Sequence, residues 1–324
     1  MKIATIAITG GTGFVGRHLA RALVEAGHQV VLLSRGNDTR DLSVRSLDGV
    51  QFRQVGLDSV DELATAIEGC DAIAHCAGIN REIGEQTYER VHVQGTRNVV
   101  EAAKRAGIPK IALLSFIRAR PNCGSAYHES KWQAEQIVRS SGLDYTVLKE
   151  GMTYGVGDHM LDHLSHTIHS MPLFATVGLS EKAIRPVAIE DVVRILIACL
   201  TEGRLKNQTV PVLGPQRMRL SDAVFKVARL SHRPVLVFPF PVIGHKILAS
   251  IFERLMPIPL ISSAQVFMLS ENMEQALPKG STTPLPDDLK PRQRFTDAQV
   301  SQHLPTPKSF GLHDFGIKLS PPSH

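Results

Sequence analysis

Residues 3–27 read IATIAITGGTGFVGRHLARALVEAG. The first seven are apolar or β-branched, the signature of a buried strand. Three glycines at three-residue spacing, Gly10, Gly13 and Gly16, follow at once. Apolar residues then recur at helical spacing as far as Gly27, a helix-stop residue. A glycine-rich turn from strand to helix is a device for holding a pyrophosphate. Gly10 permits the tight turn, Gly13 lets the backbone approach the phosphates, and Gly16 lets the helix pack closely on the sheet. The helix start then presents unsatisfied amides to the anion. Thr12, Phe14 and Val15 belong to the same turn.

The strand-then-helix pattern continues. HQVVLLSR, VQFRQVGLD, DAIAHCAG, KIALLS and DYTVLKEG read as strands two to six. The helices between them include SVDELATAIEGC, with Ser59 as cap and Asp61 and Glu62 in its first turn, and YERVHVQGTRNVVEAAKRAG. Apolar strands alternating with helices predict an α/β fold, a doubly wound parallel sheet of Rossmann type. Residues 1–155 are expected to form the dinucleotide-binding domain, with 184–214 completing its sheet. Residues 156–183 and 215–276 then form a smaller substrate lobe, and 277–324 a proline-rich polar tail.

Ligands in such sheets bind beyond the carboxyl ends of the strands. Ser34 and Arg35 stand at the end of strand two, with no acid before Asp38. A carboxylate there would favour NAD, whereas an arginine suits a 2′-phosphate, so NADP(H) is preferred and NAD remains an alternative. Arg17 offers a second positive charge. Leu57 and Asp58 follow strand three and are placed to border the adenine. Ala77 and Gly78 follow strand four and are small where the chain must pass the cofactor.

Strand five ends at Ser115, and SAYHESKWQAE opens the next helix. Tyr127 and Lys131 are one helical turn apart and share a face. Beside a nicotinamide, Lys131 would lower the phenol pKa and hold ribose hydroxyls. Tyr127 would pass a proton to or from a substrate oxygen, and Ser115 would fix that oxygen.

TGGTGFVG, HCAG, Ser115 and YHESK together resemble the short-chain dehydrogenase/reductase superfamily. LKEGMTYGVGD and RPVAIEDVV resemble its extended and atypical, epimerase/dehydratase-like branches. The whole chain is similar to the atypical group that includes the nucleotide-binding accessory subunit of respiratory complex I. The resemblance implies Gly10, Gly13 and Gly16 at the pyrophosphate and Ser115, Tyr127 and Lys131 as the catalytic set. One departure stands out: VHVQGT puts His92 where these families carry an asparagine that helps hold a proton-relay water. The complex I group also implies a second possibility, a structural subunit that binds nucleotide without turning it over.

Charge and composition narrow the partners. The 324 residues are 43% hydrophobic and 21% charged, with a net charge of +5 that never gathers into a run of five cations. With 5% aromatics as well, nucleic acid is not suggested. A small-molecule substrate is expected instead, and nothing in the sequence sets the oligomeric state. The four cysteines, Cys70, Cys76, Cys123 and Cys199, form no Cys-x-x-Cys pair, consistent with a reducing, cytoplasmic setting. No metal is expected, and His159, His163, His166 and His169 read as one polar helix. Residues 234–269 are apolar, but prolines and charges break them up, so no transmembrane helix is expected. They leave room for a lipophilic substrate or a peripheral membrane contact.

Overall fold

The computed structural model describes residues 3–36, 41–256, 261–272, 277 and 280–307. In chain order the first elements are β1 (Thr5–Thr9), α1 (Phe14–Glu25), β2 (Gln29–Ser34), β3 (Val50–Gln54), α2 (Val60–Ala66), β4 (Ala72–His75), α3 (Gly95–Arg105), β5 (Lys110–Phe116), α4 (Ala126–Arg139) and β6 (Asp144–Glu150). Then come β7 (Thr153–Tyr154), α5 (His159–Ser170), β8 (Leu173–Val177), β9 (Ala183–Ile184), β10 (Val187–Ala188), α6 (Ile189–Thr201) and β11 (Gln208–Val212). The last are β12 (Met218–Arg219), α7 (Leu220–Leu230), β13 (Leu236–Phe240), α8 (Val242–Leu255), α9 (Ser263–Ser270) and α10 (Asp297–His303).

Seven strands form one sheet in the order β11-β6-β5-β4-β1-β2-β3. Every pairing in it is parallel. The expected doubly wound α/β sheet is therefore present. Alternate residues of each strand face opposite layers. Ile6, Ile8 and Leu32 meet Leu19 and Leu23 of α1 and Val192 and Leu196 of α6. Ala7, Val31 and Leu33 share the other layer with Leu63 of α2, Val99 of α3 and Val138 of α4. Strand order reverses between β1 and β4, which opens a crevice beyond their carboxyl ends.

The described chain divides into two units. The first comprises residues up to 151, 187–214 and 277–293, and the second comprises 152–186, 215–272 and 294–307. Residues 285–293 are tied into the first unit. The Asp191 carboxylate accepts from the Arg292 and Gln293 amides, at 2.8 Å each, and Leu285 and Leu289 are buried with the sheet. In the second unit Phe295 meets the Tyr154 ring edge-on, 4.9 Å between centroids. The part of the expected tail from 308 onward lies outside the described residues. Among the described residues no helix is long and apolar enough to cross a membrane.

Candidate nucleotide site

Gly10 follows β1 with φ +66°, in the left-handed region that disfavours side chains. A Cβ on it would lie 2.7 Å from the Ala77 Cα, so the β1 and β4 turns touch through backbone. A Cβ on Gly16 would lie 2.4 Å from the Gly10 carbonyl oxygen, so only glycine lets α1 start this close to the turn. No side chain caps α1, and its first turn holds no acid. The free amides and the positive end of the helix dipole therefore suit an anion. The Thr12 hydroxyl pairs with Ser34 Oγ at 2.7 Å, which ties the turn to the end of β2. These residues fit a dinucleotide pyrophosphate.

At the end of β2, Arg35 is exposed, and its stem lies 3.6 Å from where a Gly56 Cβ would be. It has no acidic partner among the described residues, whereas Asp38 lies outside them. Arg17 is buried just past the glycine turn, with its guanidinium 5.6 Å from the Phe14 ring centroid. Leu57 and Asp58 are held by Asn98, whose amide donates to both of their carbonyls at 2.7 and 3.3 Å. The Asp58 carboxylate pairs with Arg90 at 2.9 Å.

Ser125 caps α4, accepting from the His128 amide, and this places Tyr127 in the first turn. Lys131 follows on the same face. Its Nζ donates to the Leu114 carbonyl at 3.0 Å, two residues before the end of β5. It also lies 3.3 Å from where a Cβ of exposed Gly78 would be, so it reaches the β4 turn as well. The Tyr127 ring is enclosed by Tyr88, His92, Phe116 and His128, with centroids 5.6–5.7 Å away. Burial first, then the charges of Glu150 and Tyr88, hold its phenol above the usual range. Burial lowers the Lys131 pKa, and Glu150 and Glu135 oppose it. Glu150 thus acts on both groups and was missed from sequence, although an acid at a strand end (LKEG) was its signal.

His92 lies in a π-helical turn, Glu89–Gln94, that runs into α3. Such one-turn bulges are rare and cluster at functional sites. The Ile79 amide donates to His92 Nε2 at 3.1 Å, so the ring proton sits on Nδ1 and goes to Ser130 Oγ at 2.8 Å. Ser130 donates in turn to the Tyr127 carbonyl. Burial and the Lys131 charge keep this ring neutral. His92 is therefore a fixed polar strut between the β4 turn and α4. His75 is a second strut, bonded to Thr9 and Thr96, with its pKa lowered to about 3 by burial.

Ser115 faces α4 next to Leu114, whose carbonyl accepts from Lys131 Nζ, and it bonds Glu135, one helical turn beyond Lys131. Its hydroxyl donates to Glu135 at 2.5 Å, and Glu135 also pairs with Lys149 at 2.6 Å and Arg139 at 2.7 Å. On β5 it shares the side of Ile111 and Leu113, which face the layer that contains α4. Its proton is committed to a buried carboxylate.

A family model described as NAD(P)H-binding matches residues 10–158. Ceramide reductase of Caulobacter vibrioides is 31% identical over 67% of this chain and 64% of its own length. NADH dehydrogenase [ubiquinone] 1 alpha subcomplex subunit 9 of Mus musculus is 24% identical over 76% of this chain and 66% of its own. The chain thus spans just under two thirds of these curated relatives. Among solved structures, a nucleoside-diphosphate-sugar epimerase from Staphylococcus aureus superposes with a TM-score of 0.71 at 16% identity, over 92% of this chain and 99% of that one. UDP-glucuronic acid 4-epimerase from Bacillus cereus, in complex with NAD, gives 0.63 at 18%, over 73% and 87%. Residues 10–158 thus match an NAD(P)H-binding domain, and the glycine turn, the parallel sheet and these relatives support a likeness to the extended, epimerase/dehydratase-like branch of the short-chain dehydrogenase/reductase superfamily.

Proposed function

We propose that this protein is an NADP(H)-dependent oxidoreductase acting at a carbonyl or hydroxyl of a lipophilic small molecule. The observation that carries this reading is the Tyr127–Lys131 face, with Lys131 Nζ near the end of β5 and beside the β4 turn. The dinucleotide, when bound, supplies or accepts the hydride. Lys131 orients ribose hydroxyls, and Tyr127 holds the proton that a substrate oxygen gains or loses. The ceramide reductase relative and the apolar segment 234–269 support a lipophilic substrate. The test is a screen of carbonyl substrates with NADPH, with Tyr127→Phe as control. A wild type that binds nucleotide but turns nothing over overturns the catalytic reading.

Arg35 decides between the nucleotides. It is exposed and without an acidic partner among the described residues, ready to pair with a 2′-phosphate. Arg35→Ala is expected to weaken NADPH by about 10- to 100-fold and leave NADH unchanged, since a charged hydrogen bond is worth about 1.5–3 kcal/mol. Titration of both nucleotides checks this, and tighter NADH than NADPH binding in the wild type would refute it.

The raised Tyr127 pKa sets the pH dependence. A phenol that donates must be protonated, and one that accepts must be ionised. Reduction should therefore stay flat across neutral pH, whereas oxidation rises with pH. Initial rates in both directions across buffers would show it, and a reduction rate that falls between about pH 7 and 9 would contradict it.

The second reading, a dinucleotide-binding subunit without turnover, is favoured by Ser115, whose hydroxyl is committed to Glu135. The complex I subunit relative agrees with it.

A further inference from the structure

We infer that the outer face of α8, with the neighbouring strands of the second unit, docks on an anionic lipid bilayer surface. The helix is apolar on two sides. Its inner stripe, His245 and Ala249, is buried, with Ala249 against Val177 and Val266. Its outer side carries Ile243 (72% exposed), Ile247, Leu248, Ile251 and Leu255 (66%). At 100° per residue these five span an arc of about 140°, where a surface helix ordinarily shows polar residues. Ordinary solubility selects against such a face, and a contiguous patch of this kind marks an interaction site.

The strands that precede the helix also carry exposed apolar residues. Strands β8 and β13 pair in parallel, with Leu173 beside Leu236. Leu173, Leu236 and Phe238 are all exposed. The Phe240 ring fills the space above Gly244, 2.5 Å from where a Cβ would be, and so fixes the strand end against the helix start.

Charge points to the occupant. Residues 215–256 hold seven Lys/Arg against two Asp/Glu, and of the seven Lys226 and Arg229 pair with Asp297. Lys246, Arg254 and Arg233 are exposed and have no partner among the described residues. The one acid on α8, Glu253, is turned back onto Ser263, accepting from its amide and hydroxyl at 2.7 and 2.9 Å. At 100° per residue Arg254 falls within the apolar arc and Lys246 about 60° outside it, and cations beside exposed apolar residues match acyl chains beneath anionic headgroups.

Sedimentation of the full chain with vesicles tests this, using phosphatidylcholine alone and with added phosphatidylglycerol. The wild type should pellet with the anionic vesicles and be released by salt. Lys246→Glu with Arg254→Glu should bind at least about tenfold more weakly. Ile247→Asp with Ile251→Asp should lose binding at unchanged circular dichroism. Tyr127→Phe should sediment like the wild type, which separates this result from the nucleotide site. A wild type that stays in the supernatant overturns the proposal, and equal binding to both vesicle types overturns its anionic part. A dimer that the Ile247/Ile251 variant dissolves, with no vesicle binding, would assign the face to a second copy of the chain.

Discussion

Tyr127→Phe is expected to lower kcat by about 10²- to 10⁴-fold, the range for loss of a positioned acid–base group, with NADPH affinity unchanged. The variant removes one oxygen and keeps the ring, so its packing among Tyr88, His92, Phe116 and His128 survives. Ser115→Ala serves as its contrast. Because that hydroxyl donates to Glu135, its loss should lower stability and leave kcat within about threefold of the wild type. Equal losses in kcat from both variants would restore Ser115 to the catalytic set. An unchanged kcat for Tyr127→Phe would remove Tyr127 from it.

Ser115 shows where reading the sequence stops. A serine at the end of β5, twelve residues before a tyrosine, reads as the third member of a catalytic set, but its bond to Glu135 is not visible in that spacing. Strand alternation settles which face a residue takes only when the layer on each side is known. That layer contains Glu135, which the sequence shows as one more polar residue of a helix. The glycine turn was legible because steric demand and sequence context agree. Gly10 needs a positive φ, Gly16 admits no Cβ, and both sit between a β-branched run and a helical one.

The π-helical turn at Glu89–Gln94 was not legible, since a single wide turn barely disturbs the helical spacing of apolar residues. His92 was marked as a departure from the family pattern. Its role as a neutral strut needed the Ile79 and Ser130 partners, which come from outside its own turn. Among the prolines of the C-terminal segment, Leu285, Leu289, Phe295 and Val300 are isolated apolar residues without periodicity. All four are buried. Long-range packing selects them, and no local pattern announces it.

Lys149→Met should cost about 3 kcal/mol, the lower end of the range for removing one partner of a buried ion pair. Lys149 and Glu135 are 4% and 1% exposed, so water cannot replace the lost ammonium. Arg139 still pairs with Glu135 from the helix side and limits the penalty. Lys149 Nζ also donates to the Ala119 carbonyl at 2.9 Å, so the loop after β5 loses an anchor too. The melting temperature should fall by roughly 6–12 °C. Adding Glu135→Gln removes the stranded charge and keeps an acceptor for Ser115. The double variant should therefore recover more than half of the loss, the non-additivity expected of partners in one network. Strictly additive losses in denaturant melts would show that Glu135 and Lys149 are not coupled.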